Sequence, residues 1–466
     1  MKQWKRKVLS LTLALILAFP AAACAAPEEE NTLDTEQREE ETTMANIAEQ
    51  LVKAEYPQMA QYPVTDGFTV DENAYDAWRT SRQAQQPANK EYQNGIREFY
   101  EVTMQEFLNN TDGKNKVYSP LNVYMALAML AETAEGESRQ QLLDVLHTDS
   151  IDTLRNNASI LWNANYCDEG TVTSLLASSV WLDDGLSYNK DILKTLAEYY
   201  YASSFRGSMG SPEYNQMLKD WLNEQTGGLL EEQVNGVELD PMTVFALATT
   251  VYFRAKWADE FWAENNTEEI FHAASGDVVT EFMHQTHTGN YYWGENFGAI
   301  ARRLENSGNM LLILPDEDVN VEDLLTDKEV LDFIYEHYSW ENQKFLIVNQ
   351  SIPKFDVVSD FSLIEGLKNL GVKDVFEVGK ADFSPLINSD GGSTGVEPVV
   401  SEAKHAARVM IDEEGCVAAA FTVMMMTGAA RPPEEKVDFV LDRPFLFVIN
   451  GMDDQPLFIG IVNQPK

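Results

Sequence analysis

Apolar residues recur at two spacings along the chain, and they predict a mixture of helices and strands. Helical spacing follows Ser119-Pro120, which has the form of an N-cap and a first-turn proline, and Gly136 is expected to close this helix. A second amphipathic helix is expected to end at Gly227-Gly228. Apolar runs of strand length occupy residues 244–253, 310–314, 345–352, 445–449 and 457–462. The pattern predicts an α+β fold with buried sheets.

Length, composition and charge narrow the class of protein. The chain has 466 residues, 44% of them hydrophobic, which is enough apolar material for one large domain or two ordinary ones. Its formal net charge of −41 repels nucleic acid and anionic lipid, so we expect neither as a direct partner. This charge favours solubility in a crowded extracellular setting, and it would also steer basic proteases toward the surface.

The N-terminus has the pattern of a signal peptide over residues 1–23. Basic residues precede an apolar stretch from Val8 to Phe19 that is too short to span a bilayer, and small residues follow it. Cys24 comes directly after them, so the segment resembles the bacterial lipoprotein box, except that Ala21 stands where Leu is usual. The resemblance implies a lipidated Cys24 and a bacterial surface protein that touches the membrane only through this anchor. The alternative is ordinary cleavage near Cys24 and free secretion.

The rest of the chain divides into three segments. Residues 24–46 are rich in Glu and poor in apolar residues, which predicts a disordered acidic tether. Residues 47–91 regain aromatic residues and proline, and we interpret them as an extension whose packing surface the sequence does not define. Residues 92–466 carry a continuous globular pattern without an internal repeat.

Candidate catalytic and metal-binding chemistry is sparse. Cys24, Cys167 and Cys416 are far apart, and we expect neither a structural disulfide nor a metal site or other cofactor. His284 and His287 are three residues apart in a polar segment, which is typical of surface histidines. The chain has no Gly-x-Ser-x-Gly elbow and no His-Glu-x-x-His pair, so we do not expect a hydrolase or another enzyme.

Six separated segments resemble, in sequence order, the hallmark motifs of the serpins, a family of serine protease inhibitors. They include Ser119-Pro-Leu-Asn122 before an Ala-rich helix, Arg-Ala-Lys-Trp257 at the end of an apolar run, and Asp442-Arg-Pro-Phe445 near the C-terminus. The segments are residues 115–122, 221–228, 251–257, 312–317, 353–376 and 439–447. The resemblance covers residues 92–466 and implies the α+β serpin fold, in which helices surround large, mainly antiparallel sheets and a reactive-centre loop is exposed.

The resemblance places the proximal hinge of the reactive loop between the last two segments. The hinge residues are Glu413, Gly415, Cys416, Ala418, Ala419 and Ala420. In the family mechanism the cut loop enters the middle of a sheet as a new strand, and a strand alternates its faces with period two. In this chain the buried face of that strand would carry only small, uncharged residues. Insertion requires this, because a charge buried on that face is costly. These residues are Cys416, Ala418, Ala420 and Thr422.

Counting the family's usual spacing forward from Glu413 places the scissile bond between Ala429 and Ala430. A small bait suits proteases with small primary pockets, such as elastase-like and subtilisin-like enzymes. Two alternatives stay open. A shift of register would make Arg431 the bait, and the methionines at 424–426 would suit chymotrypsin-like enzymes.

The resemblance also assigns residues that keep the sheet closed before cleavage. Four correspond to the shutter at the middle of the sheet, namely Ser119, Asn122, Thr249 and His405. Three correspond to the breach at its top, where insertion starts, namely Trp257, Lys354 and Glu413. Thr249 stands where the family usually has Asn, so we expect the hydrogen bonds of the shutter to be rearranged here.

The implied function is irreversible inhibition of serine proteases. The serine of the protease attacks the bait, and the covalent acyl-enzyme is trapped when the cut loop inserts into the sheet. The partner is therefore a serine protease, and the inhibitor is expected to be a monomer. One rival is a non-inhibitory serpin that binds or stores something, but the small hinge residues of this chain argue against it. The other is a purely structural surface lipoprotein, which would leave the hinge unexplained.

Overall fold

The computed structural model describes residues 48–63, 71–87, 90–93, 95–388, 398–416 and 433–465. Four predicted features lie outside these ranges: the signal peptide with Cys24, the tether, the small-residue run Ala418, Ala419 and Ala420, and the bond between Ala429 and Ala430. The base of the predicted loop, from Glu413 to Cys416, lies inside them.

The α-helices within the described ranges are numbered in chain order. They are α1 (Glu72–Gln85), α2 (Ile96–Leu108), α3 (Pro120–Thr133), α4 (Gly136–Val145), α5 (Ile151–Asn165), α6 (Lys190–Tyr199), α7 (Pro212–Gln225), α8 (Glu231–Asn235), α9 (Lys328–Glu336) and α10 (Ile364–Asn369). In this part of the chain, none of them has the length and apolar character that a membrane crossing needs.

The strands are numbered in the same way and form two large sheets. They are β1 (Ala48–Val52), β2 (Lys116–Tyr118), β3 (Cys167–Asp168), β4 (Thr173–Asp183), β5 (Ala202–Gly207), β6 (Phe245–Lys256), β7 (Thr267–Ala273), β8 (Gly276–Trp293), β9 (Phe297–Arg303), β10 (Asn309–Pro315), β11 (Gln343–Pro353), β12 (Phe355–Ser362), β13 (Lys404–Ile411), β14 (Gly415–Cys416), β15 (Lys436–Val440), β16 (Phe445–Asn450) and β17 (Pro456–Val462).

Each sheet mixes distant parts of the chain. The first sheet has the order β1-β5-β4-β6-β14-β13-β12, and β3 pairs with β4. The second has the order β15-β11-β8-β9-β10-β16-β17-β2, and β7 pairs with β8. The pairs β4–β5 and β11–β15 are parallel, and the other strand pairs are antiparallel. The predicted α+β fold with large, mainly antiparallel sheets is confirmed.

Helix α3 lies in the middle of the main core. It contacts β6 of the first sheet and β17 of the second, and nearly all of its residues are buried. A helix that is apolar on every side suits such a position, because no side of it faces water. This placement brings the N-terminus of α3, with Ser119 and Asn122, against the middle of the first sheet.

The elements predicted from the sequence coincide with observed ones, with one exception. Helix α3 begins at Pro120, and Ser119 Oγ accepts a hydrogen bond of 3.2 Å from the backbone N–H of Asn122. Helix α7 ends just before Gly227 and Gly228, and each predicted apolar run lies in a strand. The prediction that Gly136 closes α3 is wrong. Gly136 is the first residue of α4, where its φ of 58° turns the chain into the next helix.

The N-terminal extension packs along the first sheet. Its strand β1 pairs antiparallel with β5 and so forms one edge of that sheet. Tyr56 then contacts the ring of Trp162 at a centroid distance of 5.5 Å. Helix α1 follows and places Trp78 at 4.9 Å from Tyr62, edge to face. The described residues of the predicted extension, 48–63, 71–87 and 90–91, therefore have a packing surface that no motif in the sequence indicates.

A buried carboxylate fixes helix α1 to the body of the protein. The side chain of Glu169 is fully buried, and its Oε2 lies 3.3 Å from Nε of Arg82 and accepts a hydrogen bond from Nε1 of Trp78. Burial raises the pKa of Glu169, although Arg82 and Trp78 both act to lower it. Arg82 and Trp78 thus compensate the burial of this carboxylate, and the pair contributes to the docking of α1.

We expect Arg82→Met to release helix α1. The substitution leaves Glu169 in an apolar site without its cation, and breaking a buried ion pair from one side costs ~3 kcal/mol. Limited proteolysis of residues 72–85 should accelerate strongly at pH 7. Arg79→Met is the matched control, because Arg79 is exposed on the same helix. Equal proteolysis rates for the two variants would contradict the assignment.

Candidate functional site

The first sheet is interrupted between β6 and β13. At its upper end the short strand β14 joins them, with Gly415 opposite Lys256, and Cys416 opposite Ala255 on β6 and Ile411 on β13. Below Cys416, β6 and β13 show no pairing with each other in the described ranges. The space between them, which we call the slot, belongs to a cavity of about 350 Å³.

Gly415 and Cys416 fit the narrow top of the slot. A Cβ on residue 415 would lie 2.4 Å from the carbonyl oxygen of Ala255, so glycine is required there. Cys416 is 2% exposed and packs in the main apolar core. Burial raises the pKa of its thiol to about 12, which keeps the thiol protonated. Cys416 and Cys167 are both free and buried.

The turn before β14 is held by backbone hydrogen bonds at the predicted breach. Nε1 of Trp257 donates to the carbonyl oxygen of Asp412 at 2.8 Å, and its backbone N–H donates to that of Glu414 at 2.9 Å. The backbone N–H of Phe261 donates to the carbonyl oxygen of Glu413 at 2.9 Å. Because Trp257 is almost fully buried, these contacts anchor the turn to the end of β6.

An ion pair ties the same turn to the connection between β11 and β12. Oε1 of Glu413 lies 2.6 Å from Nζ of Lys354, which also lies 3.1 Å from Oε2 of Glu281. Nδ2 of Asn266 donates to both carboxylates. Burial opposes the ionisation of Glu413, but the hydrogen bonds from Lys354 and Asn266 outweigh it, and the pKa of Glu413 is lowered. The pair therefore stays charged at neutral pH.

The predicted shutter residues meet across the slot. Asn122 uses Nδ2 to donate to the backbone carbonyl oxygen of Thr249 on β6 at 3.2 Å, and Thr249 Oγ1 donates back to Oδ1 of Asn122. Ser119 lies on the other side, where its backbone N–H donates to Nε2 of His405 on β13 at 3.0 Å. The N-terminus of α3 thus holds β6 through Asn122 and β13 through Ser119. Thr249 completes the network with its hydroxyl in place of the amide usual in the family.

His405 is the titratable member of this network. Its Nε2 accepts a hydrogen bond from a backbone N–H, which can only donate, so the ring is neutral with its proton on Nδ1. The ring is buried against Tyr118 and Phe361. Burial lowers the pKa of His405 to about 4. Protonation would place a proton on Nε2, against the N–H of Ser119, and would break the link between α3 and β13.

We expect the native state to lose stability as the pH falls from 6.5 toward 4. The unfolded chain binds a proton at His405 near its ordinary pKa of about 6.5, before the folded chain does, so the contribution is complete above that pH and is lost below it. The loss amounts to at most ~3 kcal/mol in the free energy of unfolding, measured as the shift of the urea midpoint.

His405→Gln is the matched variant, because its amide oxygen can accept from Ser119 but does not titrate. The half-buried imidazole of His287 and the buried one of His337, whose pKa values are also lowered, titrate in both proteins and cancel in the difference. If the variant loses as much stability on acidification as the wild type, His405 is not the group responsible.

The slot is covered on its outer side. Helices α7 and α8, with residues 226–244, lie over the slot and line its outer part with Leu222, Leu229 and Val234. We call residues 212–244 the cover. The OH of Tyr214 donates to the carbonyl oxygen of Phe205 at 3.0 Å and so fixes the cover to β5. On the inner side of the sheet, α3 lines the slot.

The described part of the chain thus brings the predicted shutter residues together and, separately, the predicted breach residues. Sequence reasoning did not foresee that Gly415 and Cys416 already lie in the sheet of the uncleaved chain. It also missed Asn266 and Glu281, which surround the Glu413–Lys354 pair from a part of the sequence without a recognisable motif.

Comparison with known proteins identifies the family. The family model described as serpin (serine protease inhibitor) matches residues 94–465. An uncharacterized serpin-like protein of Thermococcus kodakarensis is 30% identical over 387 residues, which cover 80% of this chain and 85% of the relative. The human leukocyte elastase inhibitor is 28% identical over 371 residues, which cover 76% of this chain and 94% of the inhibitor.

A solved structure agrees with these relatives. The thermophilic serpin Tengpin in its native state superposes with a TM-score of 0.70 at 26% identity, over 89% of this chain and 100% of Tengpin. The chain belongs to the serpin family and has the serpin fold. Members of this family are mostly protease inhibitors that act on serine proteases without being catalysts themselves.

Proposed function

We propose that this chain is an irreversible suicide-substrate inhibitor of serine proteases, which traps its target by inserting the cut reactive loop into the slot. The observation that carries the proposal is the position of Gly415 and Cys416, which form a strand between β6 and β13 at the top of the slot. The backbone edges of both strands below this point offer hydrogen bonds to an additional strand.

The register of β14 predicts where the rest of the loop would lie. Continued antiparallel pairing brings Ala418 opposite Phe253 on β6 and Val409 on β13. Two steps further it brings Ala420 opposite Val251 and Ala407. Ala418 and Ala420 would then face α3 and the core, as Cys416 does, and their small size suits the space beside these larger side chains.

The same register carries Thr422 to the shutter. It would lie between Thr249 on β6 and His405 on β13, where a hydroxyl could join the hydrogen bonds of Asn122. Insertion would thus replace the link that α3 makes across the slot with a direct strand. From Cys416 to Ala429 an extended segment spans about 46 Å, at roughly 3.3 Å per residue, so a cut after Ala429 leaves enough chain to fill the slot.

Specificity and location complete the proposal. A bond between Ala429 and Ala430 favours elastase-like or subtilisin-like proteases, whose primary pockets accept small side chains. The segment around Cys24 supports export and lipid anchoring at a bacterial surface, or secretion if Cys24 is not lipidated. The shutter and breach residues would keep the uncleaved sheet from accepting the loop before a protease has cut it.

The proposal is tested by incubation of the chain with an elastase-like and a subtilisin-like protease, followed by denaturing electrophoresis and mass spectrometry. The expected result is a complex that survives denaturation, together with a C-terminal fragment that begins at Ala430. A protease whose catalytic serine has been chemically blocked is the control, and it should form no such complex.

Cleavage without any covalent complex, with both proteases remaining active, would contradict inhibition by this route and favour a non-inhibitory serpin. A covalent complex whose fragment begins at Pro432 would instead place the bait at Arg431. A fragment that begins after one of residues 424–426 would indicate a chymotrypsin-like target. The two last results retain the mechanism and correct the bond.

A further inference from the structure

The cover over the slot is connected to the first sheet on one side of the slot. It is continuous with β5 at one end and with β6 at the other, and both strands lie on the same side of the slot. The side chain of Tyr214 adds a hydrogen bond to β5, and a Cβ added at Gly227 would lie 3.1 Å from the ring of Tyr252 on β6. The margin of the cover that faces β13 has no chain connection to that strand, so the cover can swing outward about the β5–β6 side.

Arg408 links this free margin to β13. Its Nη1 donates a hydrogen bond of 3.1 Å to the carbonyl oxygen of Leu229, between α7 and α8. Its Nε and Nη2 donate to the two carboxylate oxygens of Asp356 on β12, at 2.8 and 2.6 Å. One guanidinium therefore holds a carboxylate of the sheet with one edge and a carbonyl of the cover with another.

The position of Arg408 in β13 favours this contact. Along β13, His405, Ala407, Val409 and Ile411 are buried toward the core, so Arg408 points to the outer face, where the cover lies. Asp356 and Glu232, the latter in α8, attract its charge from the sheet and from the cover, and with the hydrogen bonds to Asp356 they raise the pKa of Arg408. The residue stays charged at every pH at which the protein folds.

We infer that Arg408 is a latch that sets how fast the slot accepts a strand. This inference rests on the proposed function. A cut loop attached to a protease can reach the slot only from the outer face of the sheet, because the protease is too large to pass through it. If the pairing of β14 continues in the inserted state, residue 419 would lie between Tyr252 and Arg408, directly below the cover. The cover must therefore lift away from β13 during insertion, and the bond between Arg408 and Leu229 must break.

The latch is tested without a protease, by the rate at which the intact chain takes up a synthetic peptide with the sequence of residues 418–429. We expect Arg408→Met to accelerate uptake about fivefold, the effect of one charged hydrogen bond that is partly exposed to water. Arg408→Lys should give a similar acceleration, because a single ammonium group cannot hold both Asp356 and the carbonyl of Leu229. It also keeps the charge, which protects folding.

Asp356→Asn is the matched control. It removes the ion pair within the sheet and leaves the donor to Leu229 in place, so uptake should change less than twofold. Hydrogen exchange of the α8 amides adds a readout that a merely structural role would not move: it should rise in both Arg408 variants while the exchange of β12 and β13 stays unchanged. Wild-type uptake and exchange in Arg408→Met, or equal acceleration in Asp356→Asn, would overturn the latch.

These measurements separate the latch from the proposed function. A chain that forms no covalent complex with any protease, yet takes up the peptide faster when Arg408 is replaced, would lose the proposed function and keep the latch. A chain that inhibits proteases equally well, with unchanged uptake and unchanged α8 exchange in both Arg408 variants, would keep the function and lose the latch.

Discussion

Cys416→Arg is expected to turn the proposed inhibitor into a protease substrate. The uncleaved chain can tolerate the substitution by withdrawing β14 from the sheet, because β14 is only two residues long. The inserted state cannot, since residue 416 would place an unpaired guanidinium in the apolar core, at a cost of several kcal/mol. Because 1.4 kcal/mol corresponds to a factor of ten, the yield of covalent complex should fall at least ~100-fold, while the loop is still cut.

The control for this variant is Cys416→Ser, which keeps a small, weakly polar side chain on the same face of β14. It should form the covalent complex at close to the wild-type yield, measured by denaturing electrophoresis with the same protease. A wild-type yield of complex from Cys416→Arg would show that residue 416 does not enter the sheet when the protease is trapped.

Glu413→Lys is expected to open the breach in the absence of a protease. The substitution replaces the ion pair with Lys354 by two neighbouring ammonium groups, in a site where the side chain of Glu413 is only 17% exposed. The lost attraction and the new repulsion together remove roughly 2–3 kcal/mol from the turn that closes the slot. We expect a lower thermal midpoint and, on mild heating, polymers in which the loop of one molecule enters the sheet of another.

Glu414→Lys makes the same change of charge one residue further on, where the side chain is exposed. It should remain monomeric under the same heating, as followed by size-exclusion chromatography. If Glu413→Lys is as heat-stable and monomeric as Glu414→Lys, the ion pair does not hold the breach closed.

Much of the fold can be predicted from local patterns in the sequence. The N-cap Ser119 and the glycines at 227 and 228 define helix boundaries through backbone geometry, which adjacent residues determine. The apolar runs that form β10, β11, β16 and β17 are too long to be short loops, and they therefore indicate strands. Gly136 was misinterpreted because a glycine of positive φ serves equally well to end one helix or to begin the next.

The parts that the sequence did not predict depend on contacts between distant segments. The docking of α1 requires Arg82 to meet Glu169, and the breach requires Asn266 and Glu281 to meet Glu413. Arg408 contacts the cover through a backbone carbonyl. Because every residue has a carbonyl, the residue types do not indicate this contact. Strand β14 can pair where it does because β6 and β13 are separated by a gap. This gap exists only in the assembled sheet.

The thermal midpoint of the chain after cleavage within residues 417–432 reports whether the cut loop enters the slot. Insertion adds a fully paired strand to the middle of the first sheet, so we expect the cut chain to melt at least ~10 °C above the intact one. The cut form of Cys416→Arg should show no such rise. A cut wild-type chain that melts at or below the temperature of the intact chain would show that the loop does not enter the slot.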